Sequence, residues 1–128
     1  MIYEFRVYQL HPGKLEAFKQ RFENVTAPLF AKHGIGLVAF YECARLPEAV
    51  QTQVVPGGTF TPTRQASFGH DEIAYLVSFD SLEARDRAWQ AFVNDEEWIA
   101  YRQAEEAAGP LVAGESFKLL LPTDFSPT

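Results

Sequence analysis

The stretch "IYEFRVYQL" (Ile2 to Leu10) alternates residue by residue, and the chain changes period directly after it. Beyond "HPG", the residues Leu15, Phe18, Phe22, Val25 and Leu29 fall at steps of three and four. A period of two giving way to one near 3.6 marks a strand feeding an amphipathic helix. The same switch occurs at "EIAYLVSFDS" (Glu72 to Ser81). There Ile73, Tyr75, Val77 and Phe79 share a strand face, and Leu82, Arg85, Trp89 and Phe92 then mark one helix side. "GLVAFYE" (Gly36 to Glu42) and "ESFKLLLP" (Glu115 to Pro122) supply two more strands. The order β-α-β-β-α-β predicts an α+β fold of the ferredoxin-like kind, an antiparallel sheet with two helices on one face.

Local punctuation agrees with that order. Pro28 lacks an N–H and crowds the carbonyl of Asn24, so the first helix is expected to kink or restart there. Gly34 after Lys32 and His33 is a helix stop with cations at the negative end of the dipole. Asp80 or Ser81 caps the next helix. Asn94 or Asp95 caps a further helical piece, with Trp98, Tyr101 and Glu105 on one side, which Gly109-Pro110 ends.

At 128 residues the chain is expected to form one domain, residues 1–128. A formal charge of −6, with eleven scattered Lys and Arg, argues against nucleic-acid or anionic-membrane partners. Cys43, the single cysteine, excludes an internal disulfide and a Cys-rich zinc site, and reads as a small semi-buried side chain. The chain opens directly on a strand and holds no long apolar run, so a cytoplasmic protein is expected.

The architecture leaves one sheet face bare. Tyr3, Phe5 and Val7, the more apolar row of the first strand, are expected under the helices. Glu4, Arg6 and Tyr8 are then expected on the bare side, with Ala74, Leu76 and Ser78. Such a face is seldom left in water, and a second copy packing sheet to sheet covers it economically. Polar groups on that face suggest a pocket between the two sheets. A homodimer enclosing a cavity is the expectation.

Three passages resemble a known family. "MIYEFRVYQLHPGKLEAF", "DEIAYLVSFDSLEARDRAWQAFVNDEEW", and "ES" followed by "LLLPTDFSP" are similar, in that order, to NIPSNAP proteins. The residues that match its N-terminal motif are Tyr3, Glu4, Arg6, Tyr8, Pro12 and Gly13, with Pro122, Phe125 and Ser126 in the tail. The resemblance implies a dimeric α+β barrel. It implies no catalytic set, since members of the family are mostly of undefined molecular function. The quoted passages leave the central segment outside.

Candidate chemistry is sparse. Glu4 and Arg6 lie two apart on one strand and are able to pair beside Tyr8, an anchor for a carboxylate or phenolic ligand, or else a satisfied polar seam. Tyr41 and Tyr75 carry hydroxyls on inner strands. His11, His33 and His70 have no metal-ligand spacing, and no metal or cofactor is expected. His70, entering the third strand, is either a general base or an exposed turn residue. The pairs Glu96-Glu97 and Glu105-Glu106 read as solvated helix surface. No nucleotide-binding or hydrolase motif occurs.

Two functions remain open: a homodimer binding a small hydrophobic or aromatic molecule, and a cofactor-independent oxygenase, isomerase or lyase using the same cavity. The segment "VQTQVVPGGTFTPTRQASF" (Val50 to Phe68) reads as an inserted hairpin within about residues 47–70. Pro62 confines its second arm to an edge. It is a lid, a dimer arm or a plain surface loop, and Arg64 is the cation it offers to a ligand.

Overall fold

The computed structural model describes residues 1–43 and 71–128. The expected inserted hairpin, with Arg64 and His70, lies outside the described residues. Four strands, β1 (Ile2–Leu10), β2 (Gly36–Glu42), β3 (Glu72–Phe79) and β4 (Val112–Leu120), form one antiparallel sheet in the order β2-β3-β1-β4. This is the ferredoxin-like arrangement expected from the sequence. The helical segments are α1 (Leu15–Arg21), a π-helical turn (Phe22–Thr26), α2 (Ala27–Lys32), α3 (Leu82–Val93) and α4 (Glu96–Ala108).

The first helix answers to Pro28 without breaking. A proline there has no N–H to give the carbonyl four residues back. The chain widens into the π turn just before it, and the N–H of Ala27 reaches the carbonyl of Phe22, five residues back. The helix therefore runs on to His33, and Gly34 follows at φ 77°, the left-handed conformation expected of its stop. Ser81 Oγ accepts from the Ala84 N–H to cap α3, and Asp95 accepts from the Glu97 N–H to cap α4.

The core sits between the sheet and the helices. Ile73, Tyr75, Val77 and Phe79 face it from β3, as their alternation predicts. Phe18, Phe22, Leu29 and Phe30 come from the first helical run, and Ala88 and Phe92 from α3.

The faces of β1 are the reverse of the expectation. In an antiparallel sheet, directly opposed residues share a face. Glu4 pairs with Val77, Arg6 with Tyr75 and Tyr8 with Ile73, so the polar row lies under the helices. Tyr3, Phe5 and Val7 pair with Ser78, Leu76 and Ala74 on the other side, which is uncovered among the described residues. Relative hydrophobicity points the wrong row inward, because Glu4 and Arg6 find partners on α3 that no strand pattern reveals.

A second departure lies in β2. The register shifts between Leu37 and Ala39, so one extra residue is accommodated at Val38. A one-residue bulge moves all later side chains to the opposite face. Phe40 consequently packs on Tyr75 in the core, while Tyr41 opposes Ala74 on the uncovered face and is 57% exposed.

Candidate functional site

The helix-covered row of β1 forms the floor of a cavity of about 940 Å³ between the sheet and the helices. The cavity therefore lies within one chain, on the helix side, rather than on the uncovered face where strand alternation placed it. Its apolar walls are Phe22, Phe30, Trp89, Phe92 and Trp98. This volume is typical of small-molecule sites, and the aromatic walls are set among polar groups that include Arg6, Arg21, Arg85 and Arg102.

Glu4 is fully buried and makes the central electrostatic contact of the floor. Its Oε1 accepts from Arg85 Nε at 2.7 Å and from Trp89 Nε1 at 3.3 Å, both on α3. Its Oε2 lies 3.4 Å from Arg6 Nε without hydrogen-bond geometry. Glu4 and Arg6 do pair, as their spacing suggests, but the short bond goes to Arg85. The Arg6 guanidinium lies near the rings of Trp89 at 4.8 Å and Phe117 at 5.1 Å, contacts that favour a planar cation.

Beside Arg6, the Tyr8 and Tyr75 hydroxyls are 2.8 Å apart. Their rings meet edge to face, placed diagonally across β1 and β3. Burial pushes both phenols above their ordinary range, most strongly at Tyr75, while the positive charge of Arg6 pulls the other way. Both hydroxyls thus keep their protons at neutral pH. Two protons on two oxygens leave one for the bond between them and one to donate elsewhere.

The opposite wall is built by α1, the π turn and α4. Arg21 Nη1 donates to both oxygens of Glu105 at 2.7 Å, and the pair is buried. Glu105 therefore does not belong to a solvated face: its position with Trp98 and Tyr101 on one side of α4 directs it inward. Thr26, at the end of the π turn, is buried, and its hydroxyl has no hydrogen-bond partner. Arg21 Nε is likewise unpartnered.

The candidate residues divide cleanly. Arg6, Tyr8 and Tyr75 line the cavity, and Glu4 stands behind them. Tyr41 is excluded from it by the β2 bulge. His33 binds Asp95 with its Nε2 at 2.7 Å, a structural contact between α2 and the start of α4. Cys43 is half-buried, and burial, then the charge of Glu72, push its thiol up, away from nucleophilic use. Among the described residues no group of three His, Cys, Asp or Glu is placed to hold a metal ion.

Sequence reasoning misses Arg21, Thr26, Arg85 and Glu105 as site residues. A signal exists for three of them. Arg85 interrupts the apolar side of α3, Arg21 stands three and four residues from Phe18 and Val25, and Glu105 continues the Trp98 and Tyr101 face. A charge on an apolar helix stripe implies a buried partner. Thr26 gives no such sign, because the π turn that directs it cannot be read from spacing.

Fold and cavity together define a ferredoxin-like α+β protein with an aromatic, arginine-bearing chamber under its helices. The NIPSNAP family model matches residues 3–45 and 49–127, and the chain belongs to the NIPSNAP family. The match spans the central segment, so that stretch is not outside the family as the quoted motifs left it.

Solved structures agree on the fold. An uncharacterized NIPSNAP domain protein from Burkholderia xenovorans is 14% identical with a TM-score of 0.72, covering 100% of both chains. A NIPSNAP family protein of unknown function from Agrobacterium tumefaciens is 21% identical, with a TM-score of 0.71 and coverage of 99% of this chain and 92% of the other. A dimeric ferredoxin-like protein from an uncultured marine organism is 13% identical, with a TM-score of 0.58 and 98% of each chain covered. No curated protein matches the chain significantly. No helix among the described residues is long and apolar enough to cross a membrane.

Proposed function

We propose that this NIPSNAP protein is a homodimer that binds a small hydrophobic or aromatic molecule, one in the chamber of each chain. The observation that carries the reading is the chamber itself, about 940 Å³ of space walled by aromatic rings and convergent polar groups. Dimerisation rests on the uncovered face of Phe5, Val7 and Leu76, and a structural neighbour described as dimeric supports it. Catalysis without a cofactor is the second reading. The Tyr8–Tyr75 hydroxyl pair favours it, since a phenol kept protonated beside a guanidinium is able to stabilise a developing oxyanion. Binding is the better supported of the two. The deep carboxylates Glu4 and Glu105 are tied to guanidiniums, and neither is a free base.

Native mass spectrometry of the purified protein tests both parts. A dimer carrying one small molecule per chain is expected. Leu76→Arg, at the centre of the uncovered face, should give a folded monomer by sedimentation velocity. A wild-type protein that stays monomeric at tens of micromolar overturns the dimer. A chamber that takes up no aromatic compound in a Trp-fluorescence screen overturns the binding reading.

A further inference from the structure

Resting on that binding reading, we propose that the chamber's ligand is an organic carboxylate on a flat apolar body, its anionic end held by Arg6 and Thr26 at the Tyr8–Tyr75 hydroxyl pair. Placement of the charges comes first. Arg6, Arg21 and Arg85 all line the chamber, whereas Glu4 and Glu105, which neutralise them, stand behind and do not. The interior therefore meets guanidinium edges and hydroxyl groups first. The acidic residues that do line the space, Asp86, Glu106 and Glu115, are exposed, and of these the charge of Glu115 reaches Arg6 and Tyr8.

The unpaired atoms point the same way. Four buried side-chain polar atoms among the described residues lack a hydrogen bond: Glu4 Oε2, Arg6 Nε, Arg21 Nε and Thr26 Oγ1. The first two face each other at 3.4 Å, so each has a near neighbour in the chain. Arg21 Nε and Thr26 Oγ1 have neither a hydrogen bond nor an ion-pair contact of their own, and both residues line the chamber. Thr26 is 4% exposed, and an unsatisfied hydroxyl so deep costs about 1–3 kcal/mol unless a ligand or water completes it.

Oxygen is the atom that fits this set. The spare proton of the tyrosine pair and the ring-flanked Arg6 guanidinium are both donors. A hydrocarbon would leave them unsatisfied, and an amine would meet positive charge. A carboxylate accepts from a guanidinium fork through two parallel bonds, and Arg is the residue that suits it. The rings of Phe30, Phe92, Trp89 and Trp98 then enclose a flat apolar body.

The test is calorimetric titration of three matched probes: 2-naphthoate, neutral 2-naphthamide and cationic 2-naphthylmethylammonium. Wild-type protein should bind naphthoate at least about tenfold more tightly than naphthamide, as expected of a charge-assisted contact, and the cation least. Arg6→Gln should reduce that preference to within about twofold while naphthamide affinity holds, since only the charged contact is lost. Thr26→Val, nearly isosteric, should weaken naphthoate by about three- to tenfold through one lost hydrogen bond. If Arg6→Gln does not fold, Arg6→Lys serves instead. It keeps the charge but not the fork, and should weaken naphthoate by about tenfold. Equal or tighter binding of the amide overturns the carboxylate and leaves the chamber reading standing. A preference that survives both substitutions overturns these residues as its source. Failure of all three probes to bind overturns the chamber reading itself.

Discussion

Two charged sites flank the chamber, and they differ in how completely they are closed. Between α1 and α4, Arg21 places one nitrogen 2.7 Å from both oxygens of Glu105, with Arg102 a longer 3.4 Å away. On the floor, the short bond of Glu4 reaches across to Arg85 on α3, and Arg6 of the same strand is left at 3.4 Å. The first site clamps two helices and is structural. The second holds one guanidinium at 2.7 Å and leaves the other at 3.4 Å at the wall of a cavity, where the proposed ligand would meet it. The same arginine–carboxylate chemistry is closed in one place and looser in the other because the distances differ.

The clamp should give the largest effect. Glu105→Leu leaves Arg21 buried without its partner, and should lower unfolding free energy by about 3–5 kcal/mol in urea. The double variant Arg21→Met with Glu105→Leu should recover most of that loss, because two packed apolar groups replace the pair. A cost under about 1 kcal/mol for the single variant would show that the clamp is not a working buried ion pair.

The floor should respond more gently. Glu4→Gln keeps the shape and an acceptor for Arg85 but removes the charge facing two guanidiniums, and a loss of about 2–3 kcal/mol is expected. Arg6→Gln should cost only about 1 kcal/mol or less, since no hydrogen bond of its Nε is lost. The order Glu105→Leu, then Glu4→Gln, then Arg6→Gln separates a closed site from an open one. If Arg6→Gln proves the most destabilising, Arg6 is a structural residue and not a ligand contact.

The smallest effect concerns acid. Asp95 accepts from Lys32 Nζ at 2.8 Å and from His33, and the hydrogen bond from Lys32, then that from His33, hold its carboxyl well below the ordinary carboxylate range. The folded protein thus binds this proton less readily than the unfolded chain. Its stabilisation is complete above the ordinary aspartate value, near pH 4, and fades as pH falls through the lowered folded value. Asp95→Asn should therefore flatten the acid limb of the stability–pH curve and lose most at neutral pH. An unchanged slope between about pH 2 and 5 would show that the contacts of Asp95 make no net contribution.

Much of the fold is legible in the sequence. The span of β1 and β2, the capping by Ser81 and Asp95 and the stop at Gly34 follow from local patterns. Of the candidate site, Arg6, Tyr8 and Tyr75 are legible because polar and aromatic groups on a strand face have few places to go. Tyr41 is misplaced by alternation because a single bulge at Val38 reverses the phase of β2, and a bulge leaves no trace in the pattern. The faces of β1 are inverted for a related reason. Alternation says which residues keep company, not which company goes inside.

Periods, caps, the succession of elements along the chain and the division of β1 into two rows were all settled in the sequence, since each rests on residues a few positions apart. Which row became the floor was left to tertiary packing. The partners concerned, Glu4 with Arg85 and Arg21 with Glu105, stand 81 and 84 residues apart. A buried charge is tolerable only when its counter-charge arrives with good geometry, and that depends on how the helices dock on the sheet.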